Sequence, residues 1–199
     1  VGTRRGVRND RPIIPDYEVA AWGSGDMYPK GGNLLHTVRQ IIGDDARWRS
    51  ILRGLNEEFR HQAVAGAEVE AYISRESGID LGKVFDQYLR TTMIPTLEYR
   101  VDGSTLSYRW TDVVPGFDMQ IGVALDDAGY TVIHPTEEWQ RAPLELSDPS
   151  TITVDPNYYV EARPVSGEPR NAPQEPAGPR EKVWETPDKN LPTRSTKRG

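Results

Sequence analysis

The chain has 199 residues, of which 36% are hydrophobic and 27% charged, enough apolar material to bury a real core in one ordinary domain or two small ones. Its formal net charge of −6 argues against nucleic acid as a partner, because gripping phosphates needs a basic face. With no cysteine, disulfides, thiolate metal sites and thiol redox chemistry are all excluded.

No apolar run approaches the roughly 18 residues of a membrane span, so no spanning segment is expected. No signal peptide is visible, and because the chain starts at Val1 rather than Met this carries little weight. Residues 1–27 read as loop, punctuated by Pro12, Pro15 and the Gly23-Ser24-Gly25 turn. Arg4, Arg5, Arg8 and Arg11 form a local basic cluster, expected to be a solvated edge.

From Pro29 to Ile42, Leu34, Leu35, Val38, Ile41 and Ile42 fall on one helical face, Pro29 suits the first turn and Gly43 ends the helix. Asp44 is placed to cap a second helix with the stripe Trp48, Ile51, Leu52, Leu55 and Phe59. A third runs from about Ala67 to Ser77, with Val69, Tyr72 and Ile73 inward and Gly78 as its stop. Asp80 is expected to cap a fourth, carrying Leu81, Val84, Phe85, Tyr88 and Leu89. Such short connections predict antiparallel neighbours around a shared core.

After Pro95 the apolar period changes to two. Leu97, Tyr99 and Val101 face Leu106, Tyr108 and Trp110 across an Asp102-Gly103 turn, the pattern of a β-hairpin. Further strands are expected at Met119–Leu125, Tyr130–Ile133, Leu144–Leu146 and Thr151–Val154, so the class is α+β with a small antiparallel β-sandwich. From Glu161 apolar residues nearly vanish and a disordered tail, 161–199, is predicted, with Val183-Trp184 an isolated apolar pair in it.

Self-contained catalytic patterns are missing. Gly23-Ser24-Gly25-Asp26 lacks the Gly-Lys-Ser/Thr of a phosphate loop and reads as a turn. His36, His61 and His134 lie on separate elements, and none has a second histidine four residues away, so each reads as a polar surface residue. Glu57, Glu58 and His61 share a helix and read as a solvated face.

One stretch carries more. Tyr28-Pro29-Lys30-Gly31 at the head of the first helix resembles the Tyr-x-Lys-Gly motif of M1-family zinc metallopeptidases, which are aminopeptidase-like. The resemblance continues through the helix break Gly43-Asp44-Asp45, Trp48, the run Ser77–Leu81, Phe85–Leu89 and the exit Ile94-Pro95-Thr96-Leu97-Glu98-Tyr99. It covers roughly residues 1–160, most specifically 22–110.

The resemblance implies that residues 1–94 are the C-terminal helical part of a thermolysin-like catalytic domain and 95–160 a β-sandwich domain, in a bacterial enzyme that handles peptides. It implies hydrolysis of a peptide substrate by zinc-activated water, with Tyr28 as the catalytic residue. The Tyr28 phenol would donate to the oxyanion of the tetrahedral intermediate, since an ordinary tyrosine stays protonated at neutral pH. Lys30 is given no catalytic role, and Gly31 and Gly32 are expected to permit close helix packing.

The family's zinc motif, His-Glu-x-x-His with a downstream Glu, does not occur in this sequence. Zinc is therefore expected only in a longer enzyme, with no metal held by this chain, which alone should be inactive. Its partner would be the missing N-terminal half of the catalytic domain, leaving an apolar helical face exposed and favouring association. By analogy such an enzyme would be secreted or periplasmic. Two other readings remain: a non-catalytic protein-interaction module, and a carbohydrate-binding sandwich that would need Tyr99, Tyr108 and Trp110 exposed.

Overall fold

Pro29 lacks an N–H to lose and begins helix α1 (Pro29–Ile42), which Gly43 closes in the left-handed conformation at φ 67°. The computed structural model describes residues 4–14, 25–124, 129–143 and 152–166. Helix α1 buries Leu34, Val38 and Ile41, whereas Leu35, expected on the same stripe, faces solvent. Asp44 caps α2 (Asp45–Glu58), its Oδ1 accepting from the amides of Ala46 at 2.8 Å and Arg47 at 3.0 Å. Trp48 and Ile51 of α2 are buried, Leu55 and Phe59 pack at the core's margin, and Leu52 is exposed.

Helix α3 (Gly66–Ser77) buries Tyr72 and Ile73 and stops at Gly78, φ 67°. Helix α4 (Gly82–Arg90) starts one position later than expected: Leu81 is its N-cap, and Asp80 accepts only from the Gly82 amide, at 3.0 Å. Helix α1 packs on α2 and α4, and α3 packs on the same two.

The hairpin forms as the alternation demands. Strands β1 (Thr96–Asp102) and β2 (Thr105–Thr111) pair antiparallel, with Tyr99 opposite Tyr108 and Gly103 at φ 54° in the turn. Tyr99, Tyr108 and Trp110 are buried, which removes the aromatic face that sugar binding would have required. The remaining strands are β3 (Ile121–Ala124), β4 (Thr131–Ile133), β5 (Gln140–Pro143), β6 (Thr153–Val154) and β7 (Glu161–Pro164). They complete two small sheets, ordered β5-β2-β1-β7 and β4-β3-β6.

Two sequence expectations are corrected here. The larger sheet is mixed rather than antiparallel, because β7 runs parallel to β1. Residues 161–164 form a strand rather than the beginning of a disordered tail. What holds β7 is polar: the Glu161 amide donates to the Pro95 carbonyl, the Val165 amide donates to the Tyr99 carbonyl, both at 2.9 Å, and Arg163 pairs with Glu98. All four of its residues are exposed, so no hydrophobic pattern marked it. The expected strand at 144–146, the rest of the tail and Val183-Trp184 lie outside the described residues.

A single apolar core runs from Leu34 in α1 to Val160 before β7, joining helices and both sheets. Gln87 is one of the polar side chains buried within it. Its amide donates to the carbonyls of Met93 and Asp112, at 3.1 and 3.0 Å, and accepts from the Val114 amide at 2.7 Å, so this buried side chain ties α4 to both ends of the hairpin. Among the described residues no helix is long and apolar enough to cross a membrane.

Candidate functional site

The sequence Gly25-Asp26-Met27 folds as a single 3₁₀ turn immediately before α1, and Tyr28 is the N-cap between the two. The Tyr28 backbone is held from both directions. Its amide donates to Gly25 at 3.3 Å and its carbonyl accepts from Gly32 at 2.9 Å. Its side chain makes no capping bond and is 80% exposed. The phenol therefore projects from the end of the helix with its hydroxyl open to another molecule.

Two positions away on either side of this exposed residue, the side chains of Asp26 and Lys30 are deeply buried. Asp26 is 1% exposed, and its two carboxylate oxygens accept from the amides of Arg8 at 2.9 Å and Asn9 at 2.6 Å. Lys30 is fully buried and its Nζ donates to the Thr91 carbonyl, just beyond α4, at 2.7 Å. Burial pushes the Lys30 ammonium below the usual lysine range, partly offset by the negative charge of Asp26. Burial and the bond to a carbonyl make Lys30 a structural group of this turn.

Gly31 and Gly32 differ from expectation. A Cβ at either would meet nothing within 4 Å, so no close packing inside the described chain explains them. Both border open space at the head of α1, which also carries the exposed Met27, Tyr28 and Leu35.

The N-terminal segment also departs from the sequence reading. Arg4 is not part of a solvated edge: it donates to the carbonyls of Pro156 and Tyr158 and stands over the Tyr159 ring, 5.8 Å from its centroid. Arg8 and Arg11 are exposed. Residues 8 and 9 close on Asp26, and the Asn9 amide group donates to the Tyr159 hydroxyl at 3.4 Å. Val7 packs this strap against the core and the Ile14 amide donates to the Leu89 carbonyl, but most of its bonds are polar and carry no periodicity; the signal available was an acidic residue isolated in a turn.

The histidines remain apart. His36 lies 3.1 Å from the Asn157 side chain, His61 sits in an exposed turn at φ 61°, and His134 borders a cavity of about 280 Å³ with Ile41, Asp80, Leu81, Asp118 and Met119. Glu58 of the acidic helix face pairs with Arg75 at 3.0 Å in solvent. Among the described residues no three His, Cys, Asp or Glu side chains are grouped so that they could hold a metal ion, so these residues do not fit a zinc centre.

No protein-family model matches the chain, and no curated protein matches it in sequence. In three dimensions 72% of it superposes on the crystal structure of Legionella pneumophila aminopeptidase A in complex with aspartic acid, with a TM-score of 0.55 and 12% identity. The match spans 18% of that chain's length. At this identity the likeness is one of fold: the α+β arrangement of four helices and two small sheets is similar to part of an aminopeptidase.

Proposed function

We propose that this chain is the C-terminal part of an M1-like zinc metallopeptidase that acts on peptides as an aminopeptidase, and that Tyr28 donates its phenolic hydrogen bond to the oxyanion of the tetrahedral intermediate. The observation that carries this reading is the fully presented phenol at the head of α1, on a backbone anchored by buried charges on both sides. The fold likeness to part of an aminopeptidase supports it.

In this reading the helices are the closing part of a thermolysin-like domain and the two sheets a β-sandwich behind it. The metal, the general base and the site for the substrate's amino group lie in an N-terminal half outside this chain, since its described residues do not fit a metal centre. Exposed Met27, Tyr28 and Leu35 and the bare backbone at Gly31 and Gly32 form the face on which that half would rest. An exposed phenolic hydroxyl suits oxyanion stabilisation, because its donor is open to meet negative charge that develops on a substrate.

The test compares this chain with a version extended upstream through any zinc motif, measuring zinc content and hydrolysis of aminoacyl-arylamides. The expectation is that only the extended chain binds zinc and cleaves, and that Tyr28→Phe slows it by about 10²- to 10³-fold. Cleavage by the short chain would overturn the fragment reading. Absence of both activities from the extended chain would favour a non-catalytic interaction module instead.

A further inference from the structure

Tyr28 is the one exposed residue among three alternating positions, 26, 28 and 30, whose other two members are almost completely buried and charged. Burying a carboxylate and an ammonium is costly unless each is satisfied. Here each spends its bonds on backbone that belongs to another part of the chain. Asp26 takes the amides of Arg8 and Asn9, tying the turn to the N-terminal strap. That strap is itself fastened by Arg4 to the Pro156 and Tyr158 carbonyls and by Asn9 to the Tyr159 hydroxyl. Lys30 takes the Thr91 carbonyl, tying the first turn of α1 to the end of α4.

Apolar residues would hold α1 to the core at lower cost, and Leu34, Val38 and Ile41 already do so along its length. What they cannot do is fix the rotation and height of its first turn, where no apolar residue is buried. Directional bonds from Asp26 and Lys30 do that, to the N-terminal strap before residue 28 and to the end of α4 after it, two supports that the Ile14 amide joins by donating to the Leu89 carbonyl at 2.8 Å.

Resting on the proposed role of Tyr28, we infer that Asp26 and Lys30 are positioning residues for it: they clamp the backbone before and after the tyrosine so that a solvent-exposed phenol is delivered to one place. Neither touches substrate in this scheme. A displacement of about 1 Å in a catalytic group is enough to cost on the order of 10²-fold in rate, so the anchoring has functional consequences out of proportion to its contribution to folding.

Two measurements separate this inference from the reading it rests on. In the chain as described, amide hydrogen exchange reports on the Gly32 amide, whose acceptor is the Tyr28 carbonyl. Asp26→Asn and Lys30→Met should each speed exchange at Gly32 on the order of tenfold while amides of α3 and the β1–β2 hairpin keep their rates. A uniform change over all helices, or none, would overturn the clamp.

In the upstream-extended chain, Lys30→Met should lower kcat on the order of tenfold with KM unchanged, and should lower it no further in a Tyr28→Phe background. Equal losses in both backgrounds would show that Lys30 does not act through Tyr28 and would overturn the inference. If Tyr28→Phe turns over like the parent, the oxyanion role falls by itself, and the exchange data alone decide whether the anchors hold this turn.

Discussion

The hydroxyl of Tyr88 donates a 2.6 Å hydrogen bond to the main-chain carbonyl of Tyr159, 71 positions later, and the two rings lie 5.8 Å apart. This joins the last turn of α4 to the segment that leads into β7. The same segment is fixed to α1, because the Tyr159 amide donates to Thr37 Oγ1 at 3.0 Å. Helices and sheets are thereby linked through one residue's backbone. Tyr88→Phe keeps the ring but leaves the buried carbonyl without this donor, and should destabilise the chain by about 1–3 kcal/mol in urea unfolding. Burial pushes the Tyr88 phenol far above the ordinary tyrosine value of about 10, so its stabilisation is complete below that pH and declines above it as the unfolded chain ionises. The variant should show a shallower loss of stability between about pH 10 and 11.

Glu98 on β1 is buried between two arginines, Arg109 of β2 at 2.7 Å and Arg163 of β7 at 2.9 Å. Burial alone would raise its carboxyl pKa, but the hydrogen bonds and charges of Arg109 and Arg163 outweigh it and hold the group below the usual range. A depressed folded-state value means that the stabilisation is present above the unfolded pKa of about 4.3 and disappears as pH falls through the folded one. Unfolding midpoints should therefore drop below about pH 4, and Glu98→Gln should flatten that acid limb while lowering stability at pH 7. An unchanged acid limb in the variant would show that other carboxylates set it.

Gly54 in α2 gives way to Tyr72 of α3. A Cβ there would overlap the Tyr72 hydroxyl and stand 3.3 Å from Cζ. Tyr72 cannot simply swing away, since its ring is buried, packs edge-on against Phe59 and lies under the Arg75 guanidinium at 4.9 Å. Gly54→Ala gains helix propensity yet should lose about 1–3 kcal/mol net through this overlap. A thermal midpoint equal to or above the parent's would mean that the α2–α3 contact adjusts freely.

The elements that bury apolar faces were legible from spacing alone: α1 through Pro29 and Gly43, α2 through Asp44, and the hairpin through Gly103, although its turn is Gly103-Ser104, one position later than expected, because Asp102 pairs with Thr105. What escaped is held by polar groups acting over long sequence separations. Strand β7 rests on Glu98 and the Pro95 carbonyl, the N-terminal strap on Asp26 and Tyr159, and the hairpin's ends on Gln87. Such partners carry no periodicity, so a single sequence cannot pair them. Tyr28 was legible only by resemblance to a motif, while the buried anchors at 26 and 30 became visible with the coordinates.

Among the described residues the Tyr28 side chain makes no capping bond and is 80% exposed, so its part in folding is that of its backbone. Tyr28→Phe should change the unfolding free energy of this chain by less than about 0.5 kcal/mol. A larger loss would mean that the hydroxyl has a structural partner, and any slowing of catalysis in the extended chain would then need correction for stability.

Gly32 poses the converse question, because a glycine near the start of a helix is a cost of about 0.5–1 kcal/mol relative to alanine unless something requires it. Inside the described chain nothing does: the space around its missing Cβ is open. Gly32→Ala should therefore raise the stability of the isolated chain by about that amount. In the proposed enzyme the same methyl would project into the face that the N-terminal half covers, beside Tyr28, and should weaken hydrolysis or assembly of the extended chain. Stabilisation in isolation together with loss in the extended chain would locate the requirement for glycine at this contact. Stabilisation in both would show that the helix face is bare because nothing approaches it, which favours the interaction-module reading with its surface elsewhere.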